Sequence, residues 1–224
     1  LGGSLHSAIY PRFVQLRENN QALRELVLFA TMAQAVFVFP PIAAVAAASH
    51  AFFTLLLSDR WQASGEIFTL LAGTAAIQTI VAINGSLLQA IGRTGARLRL
   101  TVEYAILWTI SALVTAPFGI HAVALGCTVT TVIYLPRLLQ LYLRPIECSQ
   151  LDFIRVLAAP TLAASALFIG HRLLIRAIEV GLWTEIGIVI LETLAAYAAL
   201  VLLQRREIMG QLRSVRALLS PGAA

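Results

Sequence analysis

The stretch Leu87-Leu-Gln-Ala-Ile-Gly-Arg-Thr-Gly-Ala-Arg-Leu-Arg99 decides the fold of this 224-residue chain. An uncharged run from Ile67 to Gly92 leads into it, and from Tyr104 to Pro136 there is again no Asp, Glu, Lys or Arg. Between the two runs, Gly92 and Gly95 supply turn geometry. Arg93, Arg97 and Arg99 place three cations within seven residues. Two spans suited to hydrocarbon, joined by a short Gly-Arg turn, read as a transmembrane helical hairpin with its turn in the cytoplasm.

Composition agrees. Hydrophobic residues make up 59% of the chain and charged residues 12%, and the mean hydropathy is +0.84. A soluble domain carries about 25% charged residues, so the chain reads as an integral membrane protein. Its apolar runs are too long for barrel strands and lack polar–apolar alternation, so the spans are helices. The expected fold class is all-α, a polytopic membrane helix bundle. A net charge of +5 raises nucleic acid as a partner, but such a module gathers its cations on one face. Here they sit at the ends of apolar spans, so no nucleic acid is expected. Cys127 falls inside a span and Cys148 in an expected cytoplasmic loop, which argues against a disulfide. His6, His50, His121 and His171 are scattered without ligand spacing, and neither metal nor cofactor is expected.

The chain begins Leu1-Gly-Gly-Ser without a signal-peptide pattern. Residues up to about Phe13 read as the end of a helix whose beginning is missing, so we take the sequence to be a fragment. Glu18-Asn-Asn-Gln21 makes a polar connection. Six complete spans follow at about 26–48, 66–91, 100–116, 120–142, 153–175 and 182–203, within one transmembrane domain (1–204), and 205–224 is a basic tail. Pro40-Pro41 predicts a kink or break in the first span, and Pro136-Arg137 an interruption near the end of the fourth. Ser49 to Ser58 extends the first helix or lies in the interface. All sixteen cations are arginine. Taken connection by connection, one alternate set holds Arg12, 17, 24, 93, 97, 99, 137, 144, 155, 205, 206, 213 and 216, and the other only Arg60, 172 and 176. The rich set is expected in the cytoplasm, with the C-terminus there and the Trp61 and Phe118 turns outside.

Four motifs in order carry a family resemblance. Tyr10-Pro-Arg-Phe13 ends a helix, and Leu57-Ser-Asp-Arg-Trp61 precedes another that finishes Leu87-Leu-Gln-Ala-Ile-Gly-Arg93. Ala116-Pro-Phe-Gly-Ile-His-Ala-Val-Ala124 makes the next turn. Over roughly residues 1–145 this order resembles the C-terminal half of Wzx-type polysaccharide-biosynthesis flippases, in the superfamily that includes MATE exporters and the lipid II flippase. The resemblance implies half of a two-bundle transporter, six helices plus the end of a seventh, whose first bundle lies in a missing N-terminal half. It implies a multi-pass protein of the bacterial inner membrane. Its activity would move an isoprenoid-pyrophosphate-linked oligosaccharide outward for lipopolysaccharide, exopolysaccharide or capsule biosynthesis. That work is alternating access between repeats, not enzyme chemistry.

Polar groups inside spans mark candidate residues, because each costs free energy unless it faces protein or water. Glu192, near the centre of the sixth span, reads as a coupling or path-lining group, or as the partner of a cation such as Arg172. Glu103 lines the path or pairs with Arg99 four residues earlier. Gln78 and Asn84 touch sugar hydroxyls or bond a neighbouring helix. Gln34 lies six residues before Pro40, and carbonyls freed at Pro40 and Pro41 form a hinge or a ligand site. Arg12, Arg93, Arg97 and Arg137 are candidates for gripping pyrophosphate at the cytoplasmic mouth, or serve topology and attraction to anionic membrane lipid. Two other functions compete. A multidrug or small-cation exporter of the same fold needs acids at depth. A membrane glycan polymerase or ligase needs a large external loop, and no external connection exceeds about fifteen residues.

Overall fold

In lipid, every backbone N–H must bond within its own segment, so long apolar runs become helices. The computed structural model describes the backbone of residues 2–178 and 180–219 and the side chains of residues 9–178 and 180–203. Among the described residues there are eight α-helices and no strand. They are α1 (Gly2–Gln15), α2 (Asn20–Ala47), α3 (Ser49–Leu57), α4 (Gln62–Ala90), α5 (Thr94–Thr115), α6 (Ile120–Leu143), α7 (Gln150–Ala177) and α8 (Leu182–Leu219). Six of them, all but α1 and α3, are long and apolar enough to cross a membrane. The protein is a multi-pass helical membrane protein.

The helices reach a few residues past the apolar runs because polar residues cap them. The Asn19 side chain accepts from the Ala22 N–H at 3.0 Å and starts α2. Ser149 does the same for α7 through the Leu151 N–H at 3.1 Å. Each such cap satisfies one of the donors a helix start leaves open. Ser49 to Leu57 forms a separate helix, with the break at Ala48. Helix α8 runs on to Leu219. The side chains of the expected basic tail and that of His6 lie outside the described residues, as does all of 220–224.

Helix α2 is the hub. It packs on α4 to one side and on α7 and α8 to the other, while α5 and α6 stack outward from α4. Successive spans alternate in direction, which gives the bundle a Gly-Arg end and a Trp61 end. At the Gly-Arg end, Phe13, Leu23, Leu87, Leu143, Ile146 and Phe153 share one core cluster. Arg24 on α2 meets Asp152 on α7 there at 2.6 Å. Near the other end, Ala44, Ala47 and Ala48 of the hub let α7 and α8 approach through Leu167 and Val189, the close packing small residues permit in membranes.

Helix α6 is not interrupted at Pro136 as expected, and of the kink or break expected at Pro40-Pro41 the break is absent, since α2 runs on through both prolines. Pro41 cannot donate to the Phe37 carbonyl one turn back. The Tyr197 hydroxyl on α8 donates to that carbonyl instead, at 2.8 Å. The missing bond is thus replaced from a neighbouring helix, and α2 continues.

Strain appears elsewhere. Ser58, which ends α3, holds φ 84° and ψ 168°, nearly the conformation of Gly119 before α6 at φ 93° and ψ 173°. That region suits glycine alone and costs another residue roughly 1–3 kcal/mol. Ser58→Gly is therefore expected to raise stability by about 1 kcal/mol, after the entropy glycine adds to the unfolded chain. Thermal unfolding in detergent checks this, and an unchanged or lower midpoint contradicts it.

Candidate functional site

The principal cavity is an apolar groove of about 730 Å³ bounded by α2, α4, α6 and α7. The hub packs directly on α4 and on α7, and the groove opens between those two. Phe39 from α2 forms its floor, Ile80 and Leu139 from α4 and α6 one wall, and Phe153, Leu157 and Phe168 from α7 the other. Along α7 it runs from Gln150 to Ile169, a rise of about 28 Å at 1.5 Å per residue. A bilayer's hydrocarbon core is about 30 Å thick. The α7 side of the groove is thus nearly as long as the hydrocarbon is thick, while its α4 side, from Thr69 to Val81, rises about 18 Å. Its lining has no acidic or basic residue, and polar side chains come only from Thr69, Gln150, Thr161 and Ser165.

None of the polar residues singled out in the sequence lines this groove. They lie instead at separate helix interfaces. Gln34, nearly fully buried on α2, donates its amide to the Thr79 carbonyl of α4 at 2.7 Å. Gln78 of α4 donates to the Tyr104 hydroxyl at 2.6 Å. The single proton of Thr131 goes to the Cys127 carbonyl at 2.9 Å. The Tyr104 proton therefore goes to Thr131, 2.8 Å away, and the chain Gln78–Tyr104–Thr131 stitches α4, α5 and α6 together. Thr74 and Thr128 add a second stitch at 3.2 Å, and Glu66 and His121 a third at 2.9 Å near the Trp61 end.

Glu103 pairs with Arg99 as its spacing predicts, at 2.8 Å. It also accepts from Arg137 at 3.0 and 3.1 Å and from the Tyr134 hydroxyl at 3.0 Å. Two residues assigned separately, to the path and to the mouth, are thus one ion-pair cluster joining α5 to α6, with the Tyr104 and Tyr134 rings 5.8 Å apart beside it. Of the other mouth candidates, Arg12 donates to Gln15 at 2.8 Å, and Arg93 is exposed at the turn. Arg97 folds back over α4 so closely that a Cβ at Gly85 would sit 3.3 Å from its Nε. Beyond the spans, burial pushes the Cys148 thiol up, which keeps it from acting as a nucleophile.

Asn84 has no exposed surface, and its amide donates to Ile80 of its own helix at 3.0 Å. Its Oδ1 has no protein partner. A buried acceptor left open costs about 1–3 kcal/mol, and an apolar residue of the same shape removes that cost. Asn84→Leu is expected to raise stability by about 1 kcal/mol. Thermal unfolding in detergent measures it, and an unchanged or lower midpoint contradicts it.

Glu192 does not pair with Arg172. It meets the Nδ1 of His171 at 2.7 Å, because that imidazole faces α8. Arg172, the next residue, points away toward the Ala46 carbonyl at 3.4 Å and the Phe168 ring. Glu185, one helical face-repeat before Glu192, lies 3.7 Å from the Nε2 of the same imidazole. Sequence reasoning missed His171, Glu185 and Tyr197. The first two were findable. The α7–α8 connection folds residue 171 opposite about 188, and Glu185 and Glu192 flank that position seven apart on one face.

No protein-family model, curated protein or solved structure matches the chain.

Proposed function

We propose that this protein carries lipid-linked oligosaccharides, built on an isoprenoid pyrophosphate, across a bacterial inner membrane for surface polysaccharide biosynthesis. The supporting observation is the groove: it is apolar, and its lining along α7 is nearly as long as the hydrocarbon is thick. A lipid carrier's hydrocarbon can stay in it while the headgroup crosses. Its volume falls within the roughly 300–1,000 Å³ typical of small-ligand sites. The family resemblance of residues 1–145 points the same way. It implies a second bundle against which this one rocks, and the arginine counts of the connections support a cytoplasmic arginine-rich end and C-terminus. Arg93 and Arg97, whose guanidinium groups form no ion pair among the described residues, suit the pyrophosphate at that mouth. Arg137, held by Glu103, suits it less. An exporter of cationic drugs is disfavoured because the groove holds no acid.

The test uses cells that carry the gene. Replacing Arg93 and Arg97 together with Gln is expected to lower surface polysaccharide at least about tenfold, equivalent to about 1.4 kcal/mol, while the protein still inserts. Normal polymer with both replaced removes them from the mechanism. Deletion of the gene that leaves polymer intact but sensitises cells to cationic drugs overturns the reading in favour of the exporter.

A further inference from the structure

The His171 cluster lies on the far side of the hub from the polar stitches of α4, α5 and α6, and the carrier function assigns it no role. The imidazole is 1% exposed. Glu192 lies 2.7 Å from one ring nitrogen and Glu185 3.7 Å from the other. Nε2 has no hydrogen-bond partner among the described residues. The helices that meet here also share an apolar cluster, Ala44 and Ala47 of α2 with Leu167 of α7 and Val189 of α8. The hub carries no titratable side chain between Phe39 and Ala48. Helix α3, which touches α8, offers only His50, which is exposed. Arg172 makes no ion pair with either carboxylate among the described residues.

Charge counting shows why this arrangement cannot be indifferent to protons. With a neutral imidazole and both carboxylates ionised, the cluster carries two negative charges, of which that on Glu185 is largely buried and Glu192 is partly exposed, and buried uncompensated charge is costly. A neutral ring also has one N–H only. Once it donates to Glu192 through Nδ1, the Nε2 lone pair faces the Glu185 carboxylate, and two acceptors meet. One added proton, on the ring or on Glu185, turns that repulsion into a second hydrogen bond and halves the net charge.

We propose that His171, Glu185 and Glu192 form a single proton-binding site whose occupancy sets how tightly α8 closes against α7 and the hub. In the proton-bound state the imidazole bridges both carboxylates and clamps α8 at two points seven residues apart. When the proton leaves, the two carboxylates need water, and the end of α8 nearest Leu182 opens to admit it. Tyr197 and Phe37 hold the helix further along and act as the pivot. The site responds to protons whichever lipid or glycan the groove accepts.

The experiment uses the full chain in lipid nanodiscs, with Cys127→Ala and Cys148→Ala. Nitroxides are placed at Leu113→Cys on α5 and Trp183→Cys in the first turn of α8, both exposed positions, the second at the end that opens. Electron–electron distance distributions are compared at about pH 5 and 8, the range in which histidine changes charge. The expected result is a longer and broader distribution at the higher pH, by about 2 Å, the scale of helix shifts in switching proteins. His171→Gln keeps a neutral donor toward Glu192 without a titrating ring, and the pH response is expected to vanish. Glu185→Gln keeps the His171–Glu192 bond and removes the second charge, and its response is expected to fall by at least half. A distribution identical at both pH values overturns the proposal. So does a shift that survives undiminished in either variant, since it then arises elsewhere, for example at His121 and Glu66.

Discussion

Tryptophan in place of Ala164 is expected to abolish transport while leaving the bundle folded and inserted. Ala164 lines the groove from α7, and Ala76 lines it from the opposite wall on α4. Both alanines are partly buried beside the core cluster, and an indole at either place extends into the groove they line. A large side chain forced into a closed core costs about 1–3 kcal/mol; here the groove absorbs the ring. A lipid tail that must slide along about 28 Å of groove meets an obstruction partway. The rate is expected to fall at least tenfold, about 1.4 kcal/mol on the barrier. Leu162→Trp is the control, since Leu162 is 70% exposed on α7 and does not line the groove. Flipping of a fluorescent isoprenoid-pyrophosphate glycan in vesicles checks Ala164→Trp, Ala76→Trp and the control. Wild-type rates in both groove variants would sink the carrier reading for this groove, while equal loss in all three would point to insertion or folding instead.

The sequence shows the spans because charge in hydrocarbon is expensive, so sixteen arginines at the ends of apolar runs leave few ways to thread the chain. Local spacing was legible as well, although the caps at Asn19 and Ser149 emerged only in the structure. The Arg99–Glu103 pair needs only helical spacing. What escaped was set by tertiary neighbours. Arg137 joins Glu103 from 34 residues on. The hub's prolines read as a break because their replacement donor lies 160 residues from Phe37. The groove has no motif at all. It arises where alanines and glycine on α2, α4 and α7 leave space between helices that elsewhere touch, a property of packing and not of any one segment.

The Pro41–Tyr197 relation makes the clearest quantitative demand on the fold. In the wild-type chain, Tyr197→Phe leaves the Phe37 carbonyl without the hydroxyl that now serves it. Interhelical hydrogen bonds in membranes average about 0.6 kcal/mol and reach about 1.7, and a carbonyl with no helical donor belongs near the upper part of that range. The expected cost is about 1 kcal/mol. In a Pro41→Ala background, the new backbone N–H at that position closes the ordinary turn back to Phe37. Tyr197→Phe should then cost little, because its carbonyl partner is already satisfied. The four proteins form a double-mutant cycle with a coupling of about 1 kcal/mol, well above the few tenths expected of independent sites. Unfolding midpoints in one detergent measure it. Additive effects would mean that Tyr197 holds α8 by ring packing alone, and that the hub passes its two prolines without help from outside.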